Sequence, residues 1–216
     1  MKLKTLALAA LALALVPAVA GAAGTGYRFE LTPRIGYNFG GTLDGQDTFQ
    51  FNTDLEAKDS PSYGVSFDIP LSRNLQIELL ASRQSTELRF DEGLFGPNFA
   101  VADFDVSYYH VGLLWQGHSG RVSPFFVASL GVGELDPKIA GASSETRLST
   151  SLGGGVKVFF DDQEHVGLRL EGRGFWTDLS DNNHWHNDNH DWWDDDYTYG
   201  NDFTQGQVSA GLIIAW

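Results

Sequence analysis

The chain has 216 residues, no cysteine and a formal net charge of −14. Such acidity argues against nucleic acid and against anionic lipid surfaces as partners. The lack of cysteine excludes a disulfide-stapled fold, so hydrogen-bonded closure must hold the chain together.

The amino-terminal segment predicts export. Two lysines precede an unbroken apolar run over residues 6–16, and small residues follow it. This is the pattern of a secretory signal peptide, and the run is too short for a transmembrane helix, which needs about 20 residues. We predict cleavage after Ala20 or Ala23, with 1–23 as the signal peptide and 24–216 as one mature domain. No later segment is apolar enough for a spanning helix, so a membrane-embedded mature chain would have to be a barrel.

Eight later segments alternate apolar and polar residues with the two-residue period of a β-strand. In the first, Leu31 and Ile35 alternate with Glu30 and Arg34, and Pro33, which cannot donate to a ladder, predicts a bulge. The fourth segment is ambiguous, because both of its faces carry apolar residues. The predicted strands span 27–39, 61–71, 74–88, 104–115, 121–133, 147–160, 165–177 and 204–216.

The last predicted strand is typical of the closing strand of an outer-membrane barrel. From Val208 to Trp216 every second residue is apolar, whereas Gln207, Ser209 and Gly211 face the opposite way. The final strand of a soluble β-sandwich would show the same local pattern, so the rest of the chain must decide between the two.

The connections between the predicted strands alternate in length, which favours the barrel. Long loops lie near 40–60, 89–103, 134–146 and 178–203, with short turns between them. In outer-membrane barrels short turns face the periplasm and long loops face outward. Aromatic residues mark both ends of the strands, as expected for two interfacial girdles. We therefore predict an all-β fold, an eight-stranded antiparallel up-and-down transmembrane β-barrel.

The chain resembles the small eight-stranded outer-membrane barrels, including the transmembrane domain of outer membrane protein A and the opacity-type surface proteins. The resemblance rests on the opening strand with its segment from Pro33 to Tyr37, the alternation, the loop asymmetry and the terminal Trp216. It implies a location in the outer membrane of a Gram-negative bacterium, in contact with outer-membrane lipid and lipopolysaccharide. It also implies insertion by the barrel-assembly machinery through the strand ending at Trp216, and an extracellular partner for the acidic loops.

Charged residues at inward positions predict a filled lumen. Eight strands leave an interior barely wide enough for side chains, and buried charges are costly unless they are paired. We therefore expect a continuous ion-pair network rather than an open pore. Its predicted members are Arg28, Glu30, Arg34, Asp68, Glu78, Lys157, Arg169, Glu171 and Arg173.

The fourth loop holds a cluster of side chains that could bind a metal. His184 and His186 lie on the same side of an extended segment, and His190 with Asp188 or Asp194 would complete a nitrogen and oxygen shell for zinc, copper or nickel. Acidic clusters in the loops would also suit calcium or magnesium. The alternatives are a hydrated low-complexity loop and, because tryptophans lie beside these groups, a surface that binds a sugar or a protein. We expect no other cofactor.

No enzymatic role is expected. Some barrels that resemble this chain edit lipid A with a His-x-Ser pair, whereas His110, His118 and His165 are followed by Val-Gly, Ser-Gly and Val-Gly. We therefore predict an envelope-structural and surface-interaction protein with a plugged polar lumen. The alternatives are a narrow channel for small solutes and metal binding through the fourth loop.

Overall fold

The computed structural model describes residues 28–43, 55–90, 99–117, 121–138, 144–178 and 202–216. Within these ranges no helix is long and apolar enough to cross a bilayer. The strands are β1 (Glu30–Leu43), β2 (Leu55–Ala57), β3 (Ser60–Pro70), β4 (Leu75–Phe90), β5 (Phe99–Gln116), β6 (Val122–Pro137), β7 (Glu145–Phe159), β8 (Val166–Asp178) and β9 (Asp202–Ala215).

The strands form one closed antiparallel barrel. From β3 to β9 each strand pairs with the next in sequence, and β1 pairs with both β3 and β9, which closes the sheet. The short β2 lies in the same position as β3, between β1 and β4. Nine strand segments therefore make a wall of eight strands, and the predicted fold class is confirmed.

Alternation along each strand separates a lipid-facing side from a lumen-facing side. On β8, Leu170 is 43% exposed, whereas Arg169 and Glu171 are 2% and 5% exposed. An outward surface of this kind is stable in hydrocarbon and not in water. Large exposed side chains mark both ends of the band: Leu71, Trp115, Phe160 and Trp216 at one end, and Phe39, Tyr63 and Trp176 at the other.

The connections differ in length at the two ends of the barrel. At the end called here the turn end, they span 71–74, 117–121 and 160–165. At the opposite end, the loop end, they span 44–54, 91–98, 138–144 and 179–201.

The strands extend further toward the loop end than the alternation predicts. β5 begins at Phe99 rather than at 104, β6 ends at Pro137 rather than at 133, and β2 lies inside the predicted first loop. Outside the bilayer both faces of a strand can meet water, so the apolar alternation stops while the hydrogen-bonded ladder continues.

Pro33 does not produce the predicted bulge. The register between β1 and β3 is continuous along the paired segment. Between β1 and β9 the alignment is the same on both sides of Thr32 and Pro33, and the register shift lies between Phe39 and Thr42. Because proline has no N–H, the β1–β9 ladder is interrupted at Thr32 and Pro33 without any change of alignment.

Candidate functional site in the barrel lumen

Five strands bring eight charged side chains together inside the barrel. On β8, Arg169, Glu171 and Arg173 are two residues apart and therefore share the inner face. The other members come from β1, β3, β4 and β7. The lumen network comprises four cations and four carboxylates, all buried: Glu30, Arg34, Asp68, Glu78, Lys157, Arg169, Glu171 and Arg173.

The strand register places carboxylates next to one another on one wall of the barrel and cations next to one another on the opposite wall. Glu30 lies directly opposite Asp68, and Asp68 directly opposite Glu78, across β1, β3 and β4. Lys157 lies directly opposite Arg169 on β7 and β8. Like charges in directly opposed positions are destabilising. Each row therefore depends on oppositely charged partners outside the row, including the opposite row across the lumen.

Arg169 is the centre of the lumen network. Its Nη1 lies 3.0 Å from Asp68 Oδ2, and its Nη2 lies 2.5 Å from Glu78 Oε2 and 2.6 Å from Glu171 Oε2. Its guanidinium carbon lies 4.5 Å from the ring centroid of Phe125. Carboxylates therefore satisfy the edge of the guanidinium while an aromatic ring covers one of its faces.

The two other arginines extend the network from Arg169. Arg173 joins Glu78 to Glu171, with Nη2 and Nε each 2.5 Å from one carboxylate oxygen. Arg34 Nη2 lies 3.3 Å from Glu171 Oε1 and donates a 3.1 Å hydrogen bond to Gln207. Glu171 is thus paired with three guanidinium groups.

Lys157 completes the network on the side of Glu30. Its Nζ lies 2.7 Å from Glu30 Oε2 and 3.4 Å from Asp68 Oδ2, and it donates to Gln76 Oε1 at 2.8 Å. Gln76 Nε2 in turn donates to Glu30 Oε1 at 2.7 Å. Every charge in the network therefore has a partner of opposite sign, the condition under which charges are tolerated in a dry interior.

Apolar side chains close the lumen around the network. Toward the loop end, Tyr108 and Phe175 stack with ring centroids 4.2 Å apart. They belong to a cluster with Leu80, Phe104, Val106, Leu135 and Phe203. Toward the turn end lie two smaller clusters, Leu114, Phe125 and Val127, and Phe159, Ile213 and Ala215.

Apolar side chains therefore fill part of the lumen, which the prediction of a plugged polar lumen did not include. The ambiguous fourth predicted strand carried the signal, because Phe104, Val106 and Tyr108 on β5 are the apolar residues of its second face, and that face is the inner one. Alternation alone could not show this, since both faces of this strand are apolar.

A cluster of hydrogen-bonded amide side chains extends from the lumen network toward the loop end. Asn38 Nδ2 donates to Gln84 Oε1 at 2.7 Å and to Gln205 Oε1 at 2.9 Å. Gln207 Nε2 donates to Asn38 Oδ1 at 2.8 Å, while Gln207 Oε1 accepts from Arg34. Sequence reasoning missed this cluster, because its members are inward and polar but their pairing depends on register.

His110 is a second lumen residue that the sequence did not identify. It is 3% exposed, and its Nδ1 lies 3.0 Å from Ser129 Oγ, which lies 2.5 Å from Ser151 Oγ. Its Nε2 has no hydrogen-bond partner among the described residues. In the described part of the chain no carboxylate hydrogen-bonds His110, whereas a catalytic triad has a carboxylate that orients the histidine.

Arg28, the ninth predicted member, does not join the network. It precedes β1, and its Nη1 is buried without a hydrogen-bond partner in the described part of the chain. The last hydrogen-bonded pair of this ladder is Phe29 with Trp216, so Arg28 lies beyond it, where a two-residue period does not determine orientation.

The predicted metal ligands His184, His186, Asp188, His190 and Asp194 lie outside the described residues. Among the residues that are described, no group of three or more histidine, aspartate or glutamate side chains is arranged to hold a metal ion.

Comparisons with known proteins agree with this architecture. A family model described as "Outer membrane protein beta-barrel domain" matches residues 6–211. A search of curated proteins finds no match.

Three similar solved structures are outer-membrane or surface proteins, and none is named for an enzymatic activity. Neisserial surface protein A is 12% identical with a TM-score of 0.59, over 89% of this chain and 98% of that chain. The outer membrane protein OprG from Pseudomonas aeruginosa is 11% identical with a TM-score of 0.56, over 88% and 95%. The outer membrane protein AlkL, determined in DMPC lipid bilayers, is 10% identical with a TM-score of 0.54, over 88% and 90%. At these identities the likeness shows the fold.

Proposed function

Since the chain belongs to the outer membrane protein β-barrel domain family and is located in the outer membrane, we propose that it is an envelope-structural and surface-interaction protein with a closed lumen. The observation that supports this proposal is the lumen network, in which eight buried charges pair with one another between apolar clusters. Ions would have to cross this filled section to pass through the barrel.

Opening the lumen would be energetically costly. Breaking a buried ion pair costs about 3–5 kcal/mol, and a water path past Arg169 requires its separation from at least one of its three carboxylates. We therefore expect no steady conductance through the lumen.

Planar-bilayer recording tests the closed lumen. The wild-type protein should show no discrete conductance steps at neutral pH. A variant with Tyr108, Phe125, Phe159, Arg169 and Phe175 replaced by alanine removes the stacked rings, the central cation and one ring from each turn-end cluster, and it should conduct. Gel migration with and without boiling verifies that both proteins are folded. Discrete steps from the wild-type protein would contradict the proposal.

A narrow conduit for small solutes is the second candidate. The amide cluster favours it, because the hydrogen-bonded chain from Arg34 to Gln84 offers polar groups along the loop-end half of the lumen. If wild-type steps were seen and were abolished by Gln205→Leu, which removes an acceptor of Asn38, the conduit would replace the closed barrel.

The proposed surface interaction rests on the composition of the fourth loop, in which residues 178–203 include eight aspartates and no lysine or arginine. Deletion of residues 181–197 should leave barrel assembly intact and abolish binding of an extracellular partner, since loop tips tolerate change better than ladders do. A deletion that prevented assembly would argue for a structural role of the loop instead.

Metal binding by the fourth loop is proposed as an additional property and is tested separately. Zinc or copper titration of the wild-type protein should differ from that of a variant with His184, His186 and His190 replaced by alanine. Identical isotherms would remove the metal site. The proposal includes no lipid-hydrolysing activity, and release of fatty acid from lipopolysaccharide by the pure protein would contradict that part.

A further inference from the structure

A groove runs across the lipid-facing wall over β9, β1, β3 and β4. Its volume is about 740 Å³. Small or cyclic residues, Pro33, Ala81, Ala210 and Gly211, lie among larger side chains in its lining. The apolar lining includes Pro33, Ile35, Val65, Ala81, Ala210 and Leu212.

Arg83 gives this apolar groove a positive charge near the loop end. Its side chain is 49% exposed and lines the groove together with Tyr63 and Tyr109. Tyr63 lies directly opposite Arg83 and belongs to the loop-end aromatic girdle. Because long loops face outward in this class of barrel, Arg83 lies at the level of the outer-leaflet headgroups.

The guanidinium of Arg83 is oriented but keeps donors for a ligand. Its Nη2 lies 2.7 Å from Asp105 Oδ2, and among the described residues Arg83 hydrogen-bonds only through this nitrogen. Lys138 Nζ lies 3.1 Å from the same carboxylate oxygen. Asp105 would therefore keep a cationic partner if Arg83 turned toward an anion.

We propose that this groove is a binding site for the lipid A part of lipopolysaccharide, with an acyl chain along the apolar floor and a phosphate on Arg83. Arginine suits this role because its fork of donors matches phosphate oxygens and is more weakly hydrated than an ammonium group. The site combines an apolar trough, a cation at its outer end and a position in the leaflet where phosphorylated, acylated glycolipid is the main lipid. A lipid without a phosphate at this level would fill the trough but leave the guanidinium unused.

Lipid retained by the purified full-length protein tests this site. The barrel is extracted from outer membranes in mild detergent, its folding is verified by gel migration without boiling, and bound 3-hydroxy fatty acid, a marker of lipid A, is measured by mass spectrometry. Arg83→Gln should lower retained lipid A about tenfold, the loss expected when one charge-assisted contact is removed. Its matched control is Arg121→Gln, because Arg121 is an exposed arginine paired with an aspartate at the turn end.

A second pair of variants tests the trough. Ala81→Trp fills the groove and should also lower retained lipid A, whereas Ala128→Trp places the same side chain at another exposed, lipid-facing position of the barrel, outside the groove. If Ala81→Trp does not fold, the arginine pair decides the outcome alone.

Two results would overturn the proposal. Equal retention by Arg83→Gln and Arg121→Gln would show that the guanidinium does not bind the lipid. Displacement of lipid A by an equal concentration of phosphatidylglycerol would show that the groove accepts any anionic amphiphile. Neither result depends on conductance, so the site and the closed lumen are tested independently.

Discussion

Replacing Glu78 by glutamine removes one negative charge from the lumen network with little change in size. Glu78 accepts hydrogen bonds from Arg169 Nη2 and Arg173 Nη2, each at 2.5 Å. Glutamine keeps one acceptor oxygen but presents donor protons to the second guanidinium. One of these contacts therefore becomes repulsive, and the buried set acquires a net charge of +1.

The expected destabilisation can be worked out from these contacts. A hydrogen bond to a charged group contributes about 1.5–3 kcal/mol, and removing one partner of a buried pair costs about 3–5 kcal/mol. The Glu78 and Arg173 side chains are 0% exposed, so solvent screens little of this effect. Glu171 still pairs with both arginines, which limits the loss. We expect Glu78→Gln to lower the free energy of unfolding by about 3 kcal/mol.

Urea unfolding in lipid vesicles, followed by tryptophan fluorescence, measures this difference. The matched control is Asp162→Asn, which removes the carboxylate of an ion pair whose side chains are 62% and 85% exposed. It should lower the free energy of unfolding by no more than about 0.5 kcal/mol. The double variant Glu78→Gln with Arg173→Gln restores charge balance. Its loss in free energy of unfolding should be smaller than the sum of the losses of the two single variants by at least about 1 kcal/mol.

A loss below about 1 kcal/mol for Glu78→Gln, matching that of Asp162→Asn, would refute this reasoning. It would mean that water reaches the network in the folded protein and screens its charges. If the loss in the double variant equalled the sum of the losses of the two single variants, Glu78 and Arg173 would not depend on each other.

Two further predictions concern the barrel wall and a turn. At Gly153 an added Cβ would lie 3.0 Å from the carbonyl oxygen of Gly172 and 3.2 Å from Arg173 Cβ and Cγ, whereas at Gly172 it would meet nothing within 4 Å. Gly153→Ala should therefore cost about 1–3 kcal/mol in urea unfolding and Gly172→Ala should not, and equal effects would contradict the close packing at Gly153. In the turn between β7 and β8, hydrogen bonding, above all from the backbone N–H of Val166, lowers the pKa of Asp161 below its usual value. A group whose pKa is lowered in the folded state stabilises the fold above its unfolded pKa of about 3.9, and this stabilisation is lost as the pH falls through the folded pKa. Asp161→Asn should therefore melt below the wild type at pH 7, and the difference should shrink as the pH falls through this range. A difference that did not change with pH would exclude this cause.

The side of the wall that each strand residue faces could be predicted from the sequence, because the two-residue period is a local property. On β8 it placed Arg169 and Glu171 inside and Leu170 outside, as the structure does. The predicted place of Arg28 in the network was wrong, because that residue lies beyond the ladder. The two-residue rule failed near the loop end, where strands continue in water without apolar alternation.

Contacts across the lumen could not be predicted, because they depend on register and on strands far apart in the sequence. Nothing local to Glu30 indicates that it lies opposite Asp68, or that Lys157 reaches both. The stacking of Tyr108 on Phe175 joins residues of β5 and β8 in the same way. The sequence therefore predicted which residues fill the lumen better than it predicted what they contact.

The paired rows and the apolar clusters stabilise the closed lumen together. If Arg169 were displaced, Asp68 and Glu78 would lie side by side with less compensation, so the loss of one cation also raises the energy of the opposite row. Water is the other environment that could stabilise these charges, and the stacked rings toward the loop end together with the clusters toward the turn end keep it out. An ion path therefore requires the apolar clusters and the charged rows to open at the same time. Neither change alone gives hydrated charges along the whole length of the barrel.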